Sequence, residues 1–142
     1  MNGTRDRLRI FIDTRILLSA VLSDASMSAK LLRFANEEHK LLISAHSLTE
    51  ATKVIKRKFP NRLAAWDKFL TALAFELLYT PLAVNGPNTR DPMNGPILAS
   101  LFIAQPDLVV TSDQDFHMSE IREFLTVLSP ADFVRMYGKE II

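Results

Sequence analysis

Asp13, Glu50, Asp91, Asn94, Asp113 and Asp115 are the side chains whose types and positions could do chemistry. Asp13 closes the apolar run Leu8-Arg9-Ile10-Phe11-Ile12. Asp113 and Asp115 follow Asp107-Leu108-Val109-Val110-Thr111. Glu50 lies about two turns into the helix that follows Leu41-Leu42-Ile43. Asp91 and Asn94 are three residues apart at a helix start, and so share a face. In an open α/β sheet, groups just past the carboxyl ends of the strands converge on one edge. Carboxylates gathered there without matching lysines raise one another's pKa and are costly unless a hard divalent cation neutralises them. Magnesium and manganese take such oxygen ligands, activate water for in-line attack on a phosphodiester and stabilise the leaving oxygen.

Each of these residues also has an ordinary use. Asp13 and Asp113 suit helix N-caps, Ser47-Leu48-Thr49-Glu50 fits a capping box, and Asp91 before Pro92 is a plain helix start. Other chemistries have less to work with. There is no cysteine, which excludes disulfides, thiolate nucleophiles and cysteine-held metals. His39, His46 and His117 show no zinc-binding spacing.

The elements that must position these groups alternate. Strands are expected at Leu8–Ile12, Leu41–Ile43, Leu82–Val84, Asp107–Thr111 and Leu125–Leu128. Helices are expected at Ile16–Leu22, Met27–Asn36, from Ser44 to about Lys58, from Asn61 or Arg62 through Leu77, from Asp91 to about Ala104, at Ile121–Phe124, and from Ser129 to near Gly138. Pro81 argues for the edge of the sheet at the third strand. The order β-α-α-β-α-α-β-α-β-α-β-α predicts a three-layer α/β domain with a mostly parallel sheet. At 142 residues, with no linker or repeat, one domain over 1–142 is expected.

Composition is that of a globular chain, 48% hydrophobic and 23% charged, which argues against wholesale disorder. The net charge of +1 neither requires nor forbids a nucleic acid, because steering depends on where charge lies. Lys53, Lys56, Arg57, Lys58 and Arg62 form a run without an acid. Arg57 lies roughly 10 Å beyond Glu50 along the helix, a spacing that suits holding a phosphate backbone; a solvated helix face is the plain alternative. No apolar run is long enough for a membrane span. Asp13 and Arg15 interrupt the stretch that would serve as a signal peptide, so no membrane role and a cytoplasmic location are expected.

Five segments resemble the PIN-domain family. Phe11-Ile12-Asp13-Thr14-Arg15-Ile16-Leu17-Leu18-Ser19-Ala20 is similar to its opening hDTNhhhSA, and Ser44 followed by Glu50 to its second acidic segment. Arg90-Asp91-Pro92-Met93-Asn94-Gly95-Pro96-Ile97-Leu98-Ala99 resembles RDPxDxxhLA. Asp107 to Phe116 resembles DhhVTxDxDF. Leu128-Ser129-Pro130-Ala131-Asp132-Phe133 resembles the closing hSPxxF of a subgroup regarded as toxin components of toxin–antitoxin systems, the VapC-like ribonucleases. The similarity runs from about Leu8 to Val134.

This resemblance implies an α/β/α domain with about five parallel strands and a magnesium- or manganese-dependent endoribonuclease. Its catalytic positions would be Asp13, Glu50, Asn94 and Asp113, with Asp13, Glu50 and Asp113 as metal ligands. Asp91 and Asp115 would be accessory carboxylates, and Thr111 or Ser112 would hydrogen-bond a ligand carboxylate. RNA, an antitoxin protein and a second copy of the chain are the implied partners, the last through helices around Leu63–Leu77. By their spacing beyond Glu50, and apart from the resemblance, Lys53, Lys56, Arg57 and Lys58 suit holding that RNA. Two positions depart from the pattern: Arg15 replaces the usual asparagine and Asn94 the usual aspartate. Both make the site less negative, and Arg15 could pair with Asp13 or Asp113 and compete with the metal. The alternatives are a catalytically impaired PIN-fold protein that binds RNA or a protein partner, and a metal-dependent phosphatase or DNA nuclease.

Overall fold

Three runs, Ile10-Phe11-Ile12, Leu41-Leu42-Ile43 and Leu108-Val109-Val110, are buried along their whole length, as strands covered on both faces must be. In the computed structural model, which describes residues 7–23, 25–80 and 95–141, they form the centre of a five-stranded sheet. The strands are β1 (Arg9–Ile12), β2 (Lys40–Ser44), β3 (Phe75–Leu78), β4 (Leu108–Val110) and β5 (Val127–Leu128). Every pairing is parallel, in the order β3-β2-β1-β4-β5.

The period-2 alternation of side chains splits the core into two layers. Ile10, Ile12, Leu41, Ile43, Leu108 and Val110 face one side. They pack there with residues of α1 (Thr14–Leu22), α2 (Met27–Glu38), α3 (Ala45–Lys58), α4 (Leu63–Ala72) and α7 (Pro130–Ile141). Phe11, Leu42 and Val109 face the other side, with residues of α5 (Gly95–Ala104) and α6 (Ser119–Arg122). The fold is a three-layer α/β/α sandwich with a parallel sheet, in the element order expected.

Several boundaries move: the short helix expected at Ile121–Phe124 forms at Ser119–Arg122, and the strand expected from Leu125 keeps only Val127–Leu128. The periodic run from Leu63 does not stay helical to Leu77: α4 ends at Ala72 and Phe75–Leu78 is the edge strand. Leu73 turns extended, and the Ala74 amide donates to Asn36 Oδ1 at 2.8 Å, so a contact from α2 helps end the helix. β3 then pairs with β2 over four residues. The expected strand Leu82–Val84, the turn after it and the helix start at Asp91 lie outside the described residues. The last helix passes Gly138 to reach Ile141, and a Cβ at Gly138 would meet nothing within 4 Å.

The sheet positions the site by its connections. β1 and β2 are each followed by helices on one face, β3 and β4 by helices on the other. β1 and β4 are neighbours whose chains leave in opposite directions, which opens a crevice at their carboxyl ends.

Candidate active site

Asp13 is the first residue past β1 and caps α1; its Oδ1 accepts from the Arg15 amide at 3.2 Å. Its own amide donates to Val110 O at 3.1 Å, tying it to the end of β4. Thr111, 1% exposed, follows β4 and links the two strand ends. The Thr111 hydroxyl donates to Asp13 Oδ2 at 2.7 Å and accepts from the Asp113 amide at 3.0 Å. Asp113 Oδ1 in turn accepts from the Asp115 amide at 3.0 Å, capping the 3-10 turn Gln114–His117. Capping and clustering are therefore not rivals for these two aspartates. Each uses one oxygen to start the chain's next turn and keeps the other at the crevice.

The crevice is a cleft of about 220 Å³ whose wall includes Asp13, Arg15, Glu50, Thr111 and Asp113. Glu50 reaches the cleft from α3, which begins at the Ser44 cap: Ser44 Oγ accepts from the Ser47 amide at 3.2 Å. That placement removes the capping box at Ser47–Glu50, because the helix has already started three residues earlier. Glu50 Oε1 instead lies 3.5 Å from Lys53 Nζ. Arg15, at the start of α1, sets its guanidinium 3.4 Å from Asp113 Oδ2. The Asp113 side chain is 14% exposed and that of Arg15 59%, so the cation covers the carboxylate from the solvent side.

The remaining expected residues are dispersed. Asp115 is buried and Ser112 exposed, and neither lines the cleft; Thr111 is the residue that hydrogen-bonds a cleft carboxylate. Asp91 and Asn94 lie outside the described residues. Lys53, Lys56, Arg57 and Lys58 are all exposed along α3, and Phe59, 36% exposed, caps its end. Two histidines gain roles that the expected site lacked. The His117 ring donates from Nε2 to the Thr111 carbonyl at 2.7 Å, a contact that requires the proton on that nitrogen. His46 lines the cleft four residues ahead of Glu50, a helical spacing visible in the sequence. Nothing in the sequence signals His117, whose partner is a main-chain atom.

Asp13 and Asp113 are chemically suited to a hard cation, which uses one or two carboxylates and keeps several waters. Among the described residues no three histidine or carboxylate side chains stand together in a group that could hold a metal ion. The described part of the site is thus a two-carboxylate centre, with Glu50 on the wall formed by α3.

The sequence profile of the PIN domain matches residues 9–115, from the first strand through the two aspartates after β4. The chain belongs to the PIN-domain family. Among solved structures, this PIN domain is similar to the crystal structure of VapBC2 from Rickettsia felis bound to a DNA fragment from their promoter. That likeness has a TM-score of 0.61 at 13% identity and covers 86% of this chain and 98% of the other. Comparison with curated proteins finds no match. Among the described residues of this PIN domain, no helix is long and apolar enough to cross a membrane.

Proposed function

We propose that this PIN domain is a magnesium- or manganese-dependent endoribonuclease and the toxin component of a toxin–antitoxin pair. Family membership supports the nuclease class. The VapBC2 likeness supports the toxin assignment and an antitoxin protein as partner. The observation that carries the reading is the Thr111 hydroxyl, which ties Asp13 to the backbone of Asp113 across adjacent strand ends. Asp13 and Asp113 would hold the ion, with Glu50, and with Asn94 at the fourth family position. When bound, the ion supplies an activated water and charge stabilisation at the leaving oxygen.

The chain's own groups do the rest. Thr111 orients Asp13, and His117 fixes Thr111 from behind. Lys53, Lys56, Arg57 and Lys58 would hold the phosphate backbone without reading bases. The test is calorimetric titration of manganese, with cleavage of single-stranded RNA followed in parallel for wild type and Asp13→Asn. Wild type should bind the ion and cut; the variant should do neither. A wild type that shows no metal-dependent heat at millimolar ion defeats this reading.

The Arg15–Asp113 ion pair favours a second reading, a PIN-fold protein that binds RNA or a protein partner without cutting. Metal binding and RNA binding without cleavage, in the wild type, would select it.

A further inference from the structure

His46 has no role in the carboxylate centre, yet it lines the same cleft as Asp13, Glu50 and Asp113. Its Nε2 is buried and, among the described residues, meets no hydrogen-bond partner. A polar atom sealed from water without a partner carries an uncompensated desolvation cost, which a phenyl ring in the same space would not. The ring as a whole is half-buried and lines the cleft.

Its place on α3 tells what the missing partner is. His46 is the second residue of the helix, where the helix dipole presents its positive end and favours an anion. His46, Glu50, Lys53 and Arg57 follow at steps of four, three and four, so they form one stripe along α3. From His46 to Arg57 the stripe rises about 16 Å. It starts at the cleft and ends in exposed cations. An anionic chain lying along that stripe would put one phosphate at the imidazole and later ones at Lys53 and Arg57.

We propose that His46 is a substrate-contacting residue whose Nε2–H donates to a non-bridging phosphate oxygen of single-stranded RNA in the cleft. The inference rests on the ribonuclease reading and adds a hydrogen-bond donor to a wall that carries the carboxylates. The contact requires the half-buried ring to turn on binding, because Nε2 is sealed in the free chain.

The test uses the full chain and a 2′-O-methyl hexanucleotide RNA in millimolar magnesium. Imidazole ¹⁵N resonances are followed by NMR, and affinity by fluorescence anisotropy. At saturation the His46 signals should shift, while those of His39 and His117 hold. His46→Phe should weaken binding about tenfold. His46→Gln, whose amide nitrogen reaches close to the Nε2 position, should stay within about threefold of wild type; the shorter His46→Asn should behave like His46→Phe. Unmoved His46 resonances in a wild type that binds the strand would overturn this inference alone, as would equal affinity for His46→Phe. A wild type that binds no RNA at all would overturn it together with the ribonuclease reading.

Discussion

Thr111 Oγ1 stands 2.7 Å from Asp13 Oδ2, across 98 residues of sequence and the join between β4 and β1. One hydroxyl proton therefore sets which oxygen of Asp13 is turned toward β4. The same hydroxyl accepts from the Asp113 amide, so it is the hinge of the whole two-carboxylate arrangement.

Replacing that hydroxyl tests the arrangement directly. Thr111→Val keeps the shape but removes both hydrogen bonds at a site 1% exposed. It should cost about 1–3 kcal/mol in urea denaturation. Thr111→Ser should recover most of that, and with it the manganese affinity. Equal metal titrations for the valine variant and wild type would mean that Asp13 does not need Thr111 to be oriented.

Arg15 pairs with Asp113 and would compete with a metal ion there. The pair is open to solvent on the arginine side, which places its worth near that of a surface ion pair, about 0.2–1 kcal/mol. Arg15→Gln should accordingly tighten manganese by up to about fivefold by calorimetry. Adding Asn94→Asp should tighten it further, and a coupled rather than additive gain would indicate that both positions act on one ion. Unchanged affinity in the double variant would remove both from the site.

The basic run on α3 makes a prediction about salt. Lys56→Gln, Arg57→Gln and Lys58→Gln together should weaken binding of single-stranded RNA broadly across sequences. They should also reduce the slope of log affinity against log salt by about 2, at roughly 0.7 for each phosphate no longer neutralised. An unchanged slope would leave these residues as a solvated face whose charge only complements the helix end.

The wall that carries Glu50 is braced from below. Trp66 of α4 is fully buried, and its Nε1 donates to Thr52 Oγ1 of α3 at 3.0 Å. Trp66→Phe should destabilise the fold by about 1–2 kcal/mol through the missing hydrogen bond and the smaller ring. Thr52→Val made in the phenylalanine background should cost less than it does in wild type, a difference readable in a double-mutant cycle. Strict additivity would show that the indole and the hydroxyl are not coupled.

The three-layer fold and the location of Asp13 and Asp113 were legible in the sequence. Fully buried parallel strands must be written as short unbroken apolar runs, and polar groups just past them fall at one edge of the sheet by chain geometry alone. Ser44 as the cap of α3 was equally local, since an N-cap is a contact between residues three apart. What the sequence did not decide were contacts made across the fold. The Leu63–Leu77 run satisfies a helical period throughout, yet the Asn36 side chain and the open edge of β2 take its last part into a strand. Arg15 could have turned to either aspartate; the placement of α1 beside the 3-10 turn after β4 brings it to Asp113. His117 meets a carbonyl and the Nε2 of His46 finds no hydrogen-bond partner among the described residues, and neither relation has a residue pattern to announce it. Local pattern sets which groups reach the edge of the sheet, while tertiary packing alone sets which partner each one finds there.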